Sequence, residues 1–285
     1  MKCSKLKDNF ITMLFWASGV IIFLLLCCFL FMILSEGLPV LSLDFIFGRP
    51  EEMLEGGGIG PEIFNTFYIL LLSMLITIPI GLGAGIYLAE YAKDNIITRV
   101  IKLSVECLAS VPSIVFGLFG MIVFVVKFKM GFSILGGAAA LSLLNLPVMV
   151  RVTEQAITSV PNIYKEASYA LGTTKWQTIY SVILPIALPN IITGINLIAG
   201  RAIGESAVLI YTAGTSISRV FPQFNPMAAG ETLSVHLWYV KAIGLIPDAD
   251  RVSAGTAAML IVIILIFNMV IKLINKYIKR NFEGV

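Results

Sequence analysis

The sequence predicts an all-α, polytopic membrane protein with six transmembrane helices, and three observations lead there. Of the 285 residues, 58% are hydrophobic and 13% charged, against roughly 45–50% and 25% in an average soluble domain. Residues 11–34 run for 24 consecutive positions without a charge, where a bilayer needs about 20. Five further charge-poor stretches recur at 64–89, about 107–126, 132–150, 189–212 and 254–275; in lipid, only helices and closed barrels satisfy their own backbone polar groups.

The first stretch follows Lys2, Lys5 and Lys7, as the apolar core of a secretory signal would. It is longer than the usual 7–15 residues and lacks a small-residue cleavage site, so it reads as an uncleaved span. Gly56 to Gly60 reads as the turn into the second span. Pro112, in Ser110-Val111-Pro112-Ser113, falls inside the third, where it removes a backbone hydrogen bond and bends the helix. The freed carbonyls and the hydroxyls of Ser110 and Ser113 then either line a cavity or belong to an ordinary kinked helix.

Six spans place both termini on one side. If that side is the cytoplasm, thirteen of the twenty Lys and Arg residues lie inside, among them Lys93, Arg99, Lys102, Lys165 and Lys175. Six lie outside: Arg49, Lys127, Lys129, Arg219, Lys241 and Arg251. The excess predicts cytoplasmic N- and C-termini in a prokaryotic plasma membrane. The remaining cation, Arg201, falls inside the fifth span with Glu205 four residues on, which puts both on one face if the helix is continuous. Intramembrane charges are costly and usually face a bundle interior or a water path. The pair reads either as a structural lock or as an anion contact, in which Glu205 holds the Arg201 guanidinium toward a passing oxyanion. Arg151 and Glu154 form a second pair at the cytoplasmic end of the fourth span, readable as an exit-side contact or as a positive-inside anchor.

No metal site is expected. The single histidine, His236, stands beside Trp238 and Tyr239 and reads as part of an interfacial aromatic belt. Cys3, Cys27, Cys28 and Cys107 show no ligand spacing and read as small core residues. An intramembrane enzyme is disfavoured: Ser110, Ser113 and Ser206 have no intramembrane His or Asp beside them, and HExxH is absent.

The cytoplasmic connection, 151–188, is too polar to span. Pro161 and Gly172 bracket a short surface helix, and a second helical stretch through Trp176, Ile179 and Val182 is expected to stop at Pro185 and Pro189. Within it, Glu166-Ala167-Ser168, Gly172, Val182, Leu184 and Pro185 resemble the EAA loop of binding-protein-dependent ABC importer permeases, with Ser168 in place of the second Ala and Val182 in place of Ile. The resemblance implies the type I importer permease fold and a coupling helix seated in a cleft of a cytoplasmic ATPase. Small Ala167 and Ser168 would allow close approach, Glu166 would pair with a basic partner residue, and Gly172 would let the chain turn.

Three stretches starting at Gly56, Glu106 and Gly200, with NLPVMVRVTEQAI from Asn145, are similar to the PstA-type phosphate permeases. That likeness implies residues 1–55 as tail, first span and extracytoplasmic loop, 56–275 as the importer core with its coupling loop at about 161–189, and 276–285 as a cytoplasmic tail. It implies half of a pore carrying inorganic phosphate inward, the alternative being another oxyanion such as molybdate, tungstate or sulfate. It also implies three partners: a second, homologous permease, an ABC ATPase dimer and an extracytoplasmic phosphate-binding protein. The chain contains no G-x-x-x-x-G-K-[ST] sequence, so no cofactor is expected on it; ATP and Mg²⁺ would sit on the partner ATPase.

Overall fold

The computed structural model describes residues 2–51, 55–216, 221–243 and 247–283; Arg219 lies outside them. Every regular element among the described residues is helical. The first, α1 (Lys2–Gly37), is apolar on all sides over residues 11–34 and exposed over residues 9–32, as befits a helix surrounded by lipid. At its end Gly37 lies against Ala254 and Ala258 of the last helix. A five-residue α2 (Leu43–Phe47), capped by the Ser42 hydroxyl, leads through Gly56 and Gly57, at φ +103° and +84°. Only glycine adopts such angles freely, and the expected turn is there.

Next come α3 (Gly60–Ile86, prolonged by a π-helical turn Tyr87–Tyr91), α4 (Ile96–Ser110), α5 (Ser113–Gly120, prolonged by the π-helical Met121–Lys127) and α6 (Ile134–Thr158). They are followed by α7 (Asn162–Ala170), α8 (Lys175–Thr178), α9 (Leu184–Ile203), α10 (Ala207–Thr212), α11 (Leu233–Ile243) and α12 (Ala249–Glu283). Among the described residues, five helical stretches are long and apolar enough to cross a membrane, and α4 with α5 would make a sixth.

Two spans depart from expectation. In the third, the proline breaks the helix: α4 and α5 meet at 96°. A residue before proline is pushed out of the helical region, and Val111 accordingly sits at ψ 133° with Pro112 at ψ 138°. In the fifth, Pro185 and Pro189 do not stop the helix, which runs unbroken from Lys175 to Ile203. A π-helical turn, Ile179–Ile183, places Pro185 in the first turn of α9, where its missing N–H costs little. The Pro189 carbonyl accepts side-chain hydrogen bonds from Thr193 Oγ1 (2.9 Å) and from Asn275 Nδ2 of α12 (3.0 Å). The helix ends instead at Gly204, before the separate α10.

The core lies where α3 packs parallel to α6 and α9 packs against both. Lipid tails are as apolar as leucine, so membrane helices associate through small residues and polar bridges. Here Gly81 lies against Met149, Gly85 against Thr153 and the Val150 carbonyl, and Gly194 against Val152. Asn196 and Asn268 bridge α9 to α12 at 2.6 Å. Cys27, Cys28 and Cys107 are exposed rather than in this core.

Candidate functional site

The loop resembling the EAA motif is a built structure at the end of the bundle where α3 finishes and α6 gives way to α7. Pro161 precedes the first residue of α7, and Gly172 turns the chain at φ +78°. From there α8 starts in a capping box between Thr174 and Gln177. Inside the turn three hydroxyls meet: Ser168 Oγ lies 2.7 Å from Thr173 Oγ1 and 3.0 Å from Thr178 Oγ1, which are 2.9 Å apart. Thr173 also donates to the Ser168 carbonyl and Thr178 to the Thr174 carbonyl.

The π-helical end of α3 anchors the loop. Lys165 pairs with the buried Glu90 carboxylate at 2.5 Å. Lys175 donates to the Glu90 carbonyl, and its ammonium lies 4.6 Å from the centroid of the Tyr91 ring.

Within the motif, Glu166 and Ala167 face outward, as expected of residues that meet a partner, whereas Ser168 is buried. Its small size serves the inside of the loop. Around Glu166, the side chains of Ile163, Tyr164, Leu171 and Trp176 stand exposed. Clustered apolar exposure with a polar rim marks an interaction surface.

Neither predicted ion pair forms. Because α9 stops at Ile203, Arg201 and Glu205 do not share a helix face. Arg201 is exposed and makes no side-chain hydrogen bond or ion pair with the described residues. Glu205 turns to the next helix, where its Oε1 accepts from the Val208 N–H at 3.3 Å, and its carbonyl accepts from Ser234 Oγ at 2.8 Å. Glu154 pairs with Lys102 of α4 at 2.6 Å rather than with Arg151. Lys102, Glu106, Arg151 and Glu154 nonetheless face one cleft of about 250 Å³ between α4 and α6. At the break, Ser110 Oγ donates to the Cys107 carbonyl at 2.7 Å and is exposed, and Ser113 is half-buried at the start of α5. The structure therefore does not bring the six predicted pathway residues into one cluster.

At the opposite end of the bundle lies a cluster the sequence did not announce. His236 is 1% exposed, buried within the fold and not at an interface, with the equally buried Glu62 and Glu231. One ligand-type atom from each residue lies within 4.8 Å of the others, and His236 Nδ1 is 3.5 Å from Glu231 Oε1. Burial opposes charge on His236, but the neighbouring Glu231 and Glu62 carboxylates outweigh it and raise its pKa above the ordinary imidazole value. Clustering with two glutamates from distant parts of the chain leaves no local signature around His236.

A bundle of membrane-crossing helices, with a hydrogen-bonded loop offered outward and no nucleotide-binding sequence of its own, defines a pore subunit worked by another polypeptide. The chain belongs to the family of binding-protein-dependent transport system inner membrane components, whose pattern matches residues 81–284. It is a multi-pass membrane permease subunit of an ABC importer, and ATP hydrolysis belongs to a separate subunit.

It is 43% identical over 290 aligned positions to YqgI of Bacillus subtilis (strain 168), named a probable ABC transporter permease, covering 98% of this chain and 99% of that one. It is 34% identical to the phosphate transport system permease PstA of Haemophilus influenzae, covering 89% and 88%. A protein of Methanocaldococcus jannaschii named a probable PstA is also 34% identical, with 92% of each chain covered. Among solved structures, a bacterial alginate ABC transporter in complex with its pentasaccharide-bound periplasmic protein matches with TM-score 0.64, 16% identity and coverage of 98% and 96%. The inward-facing MetNI methionine transporter matches with TM-score 0.61, 19% identity and coverage of 75% and 93%. At such identities the agreement concerns the fold, which is the type I importer permease fold.

Proposed function

We propose that this permease forms half of a pore that carries inorganic phosphate into the cytoplasm. The observation that carries the substrate is the 34% identity across about nine-tenths of the chain to relatives named as phosphate permeases. The fold is shared with importers of methionine and alginate and does not choose among substrates. Arg201 supports an anion: an exposed guanidinium without a partner among the described residues keeps its donors available for phosphate oxygens. A pore site must also release what it binds, and a cation on the rim of a helix break suits brief contact. Lys102 and Arg151, with Glu106 and Glu154 beside them, supply a partly neutralised cleft for exit.

In this reading the loop around Glu166 faces the cytoplasm and docks an ABC ATPase. A second permease completes the pore, and an extracytoplasmic phosphate-binding protein delivers the ion. Closure of the ATPase dimer around ATP moves the coupling helices and opens the pore outward. Uptake of radiolabelled phosphate by cells dependent on this chain, competed with molybdate, tungstate or sulfate, tests the substrate. Phosphate should enter, and excess of the other oxyanions should leave its entry unchanged. Entry of one of those oxyanions with phosphate excluded would reassign the pore.

A further inference from the structure

The Glu62, Glu231 and His236 cluster is unrelated to any step proposed above. Glu62 stands in the first turn of α3, Glu231 just before α11, and His236 one turn into α11. Backbone and side-chain hydrogen bonds already hold these segments together. Asn65 Nδ2 donates to the Glu231 carbonyl (3.0 Å), the Leu233 N–H to Thr66 Oγ1 (3.0 Å), and Thr66 Oγ1 to the Glu62 carbonyl. Nearby, Gly230 passes so close to Ile134 that a Cβ there would lie 2.6 Å from its Cγ1. The three side chains thus converge on a site fixed from two sides.

Among the described residues, neither carboxylate oxygen of Glu62 has a hydrogen-bond partner, nor does Nε2 of His236, although both residues are almost fully buried. Buried polar atoms are nearly always satisfied, and an exception calls for a bound species. Two carboxylates with one imidazole supply three ligands and up to two negative charges, which a divalent cation would balance. Metal–ligand bonds of about 2.0–2.2 Å put ligand atoms at most about 4.4 Å apart, and the three donor atoms, all within 4.8 Å of one another, stand at about that spacing. The mixed nitrogen and oxygen donors suit Zn²⁺ or Mn²⁺; Ca²⁺ takes six to eight oxygens and has too few here.

We propose that Glu62, Glu231 and His236 form a binding site for Zn²⁺ or Mn²⁺ that clamps the start of α3 to α11, at the end of the bundle away from the coupling loop. Bound there, the cation fixes α11 against the α3–α6 core. The full chain, purified without chelator, should carry about one equivalent of Zn or Mn by elemental mass spectrometry. Chelation should lower its thermal unfolding temperature, and Zn²⁺ or Mn²⁺ should restore it. Glu62→Gln and His236→Gln should each lose the metal and the chelator response, while the exposed-site control Asp44→Asn keeps both. Wild-type protein that holds neither metal and whose unfolding responds to neither cation overturns the proposal, whatever the variants do. So does stoichiometric metal retained in both Glu62→Gln and His236→Gln.

Discussion

Substitution of Gly172 isolates the contribution of loop shape to coupling. The residue sits at φ +78°, and a Cβ built there has nothing within 4 Å. Its replacement therefore creates no clash, and whatever penalty follows is conformational. For an ordinary L-residue the left-handed region costs about 1–2 kcal/mol, and asparagine tolerates it better. A penalty of that size lowers the population of the native turn by roughly 5- to 30-fold. A partner that binds that shape sees its apparent affinity fall by the same factor wherever the native turn becomes the minor form.

Uptake and ATP hydrolysis by the assembled transporter should accordingly fall in the order Gly172, Gly172→Asn, Gly172→Ala, Gly172→Val. The unfolding temperature of the bundle should drop by no more than a few degrees, since the turn can relax locally. If the three variants transport as well as wild type, or if asparagine is no milder than alanine, the turn's conformation is not what the ATPase reads.

Replacing Ser168 with valine removes one member of a buried hydroxyl trio and forces a bulkier apolar group into the turn, while Thr173 and Thr178 keep each other and their carbonyl acceptors; overpacking of this kind costs about 1–3 kcal/mol. Co-purification of the ATPase should weaken by about tenfold or more, and Ser168→Val should be worse than Ala167→Ser, which changes an outward position. Arg201→Ala should reduce phosphate uptake roughly tenfold to a hundredfold, the worth of one charged hydrogen bond, while the complex assembles normally because Arg201 holds no protein partner. Normal uptake at limiting phosphate would remove Arg201 from the pathway. Gly85→Ala places a Cβ 2.5 Å from Thr153 Cβ and 2.8 Å from the Val150 carbonyl, whereas Gly83→Ala meets nothing within 4 Å. The first should destabilise by about 1–3 kcal/mol and the second be neutral or stabilising, and equal melting of the two would refute the close α3–α6 contact.

What the sequence made legible follows from which interactions are local. Long apolar runs announce membrane helices because bilayer thickness fixes their length, and the coupling loop is readable because its parts lie within one short segment. Breaks in helices are harder. Pro112 turns a span by 96° while Pro185 and Pro189 sit inside an unbroken one. The difference lies in the backbone around each proline: a π-helical turn precedes Pro185 and the helix continues through Pro189, whereas Val111 and Pro112 are both extended.

The same physics explains why both charge pairs were misassigned. Spacing of three or four residues makes neighbours only while the helix continues, and α9 ends between Arg201 and Glu205, whose carboxylate is then taken by the unsatisfied Val208 N–H of the next helix. In α6 the helix does continue, yet Glu154 prefers Lys102, which the bend at Val111 and Pro112 leaves on a helix packed alongside. Each cation that loses its expected local partner is left facing open space: Arg201 at the helix break and Arg151 in the cleft. For a structural lock this would be a failure. For a path along which an anion must be met and released, partnerless cations are the useful outcome, because a guanidinium already saturated by a carboxylate would have to be desolvated and unpaired before it could touch phosphate.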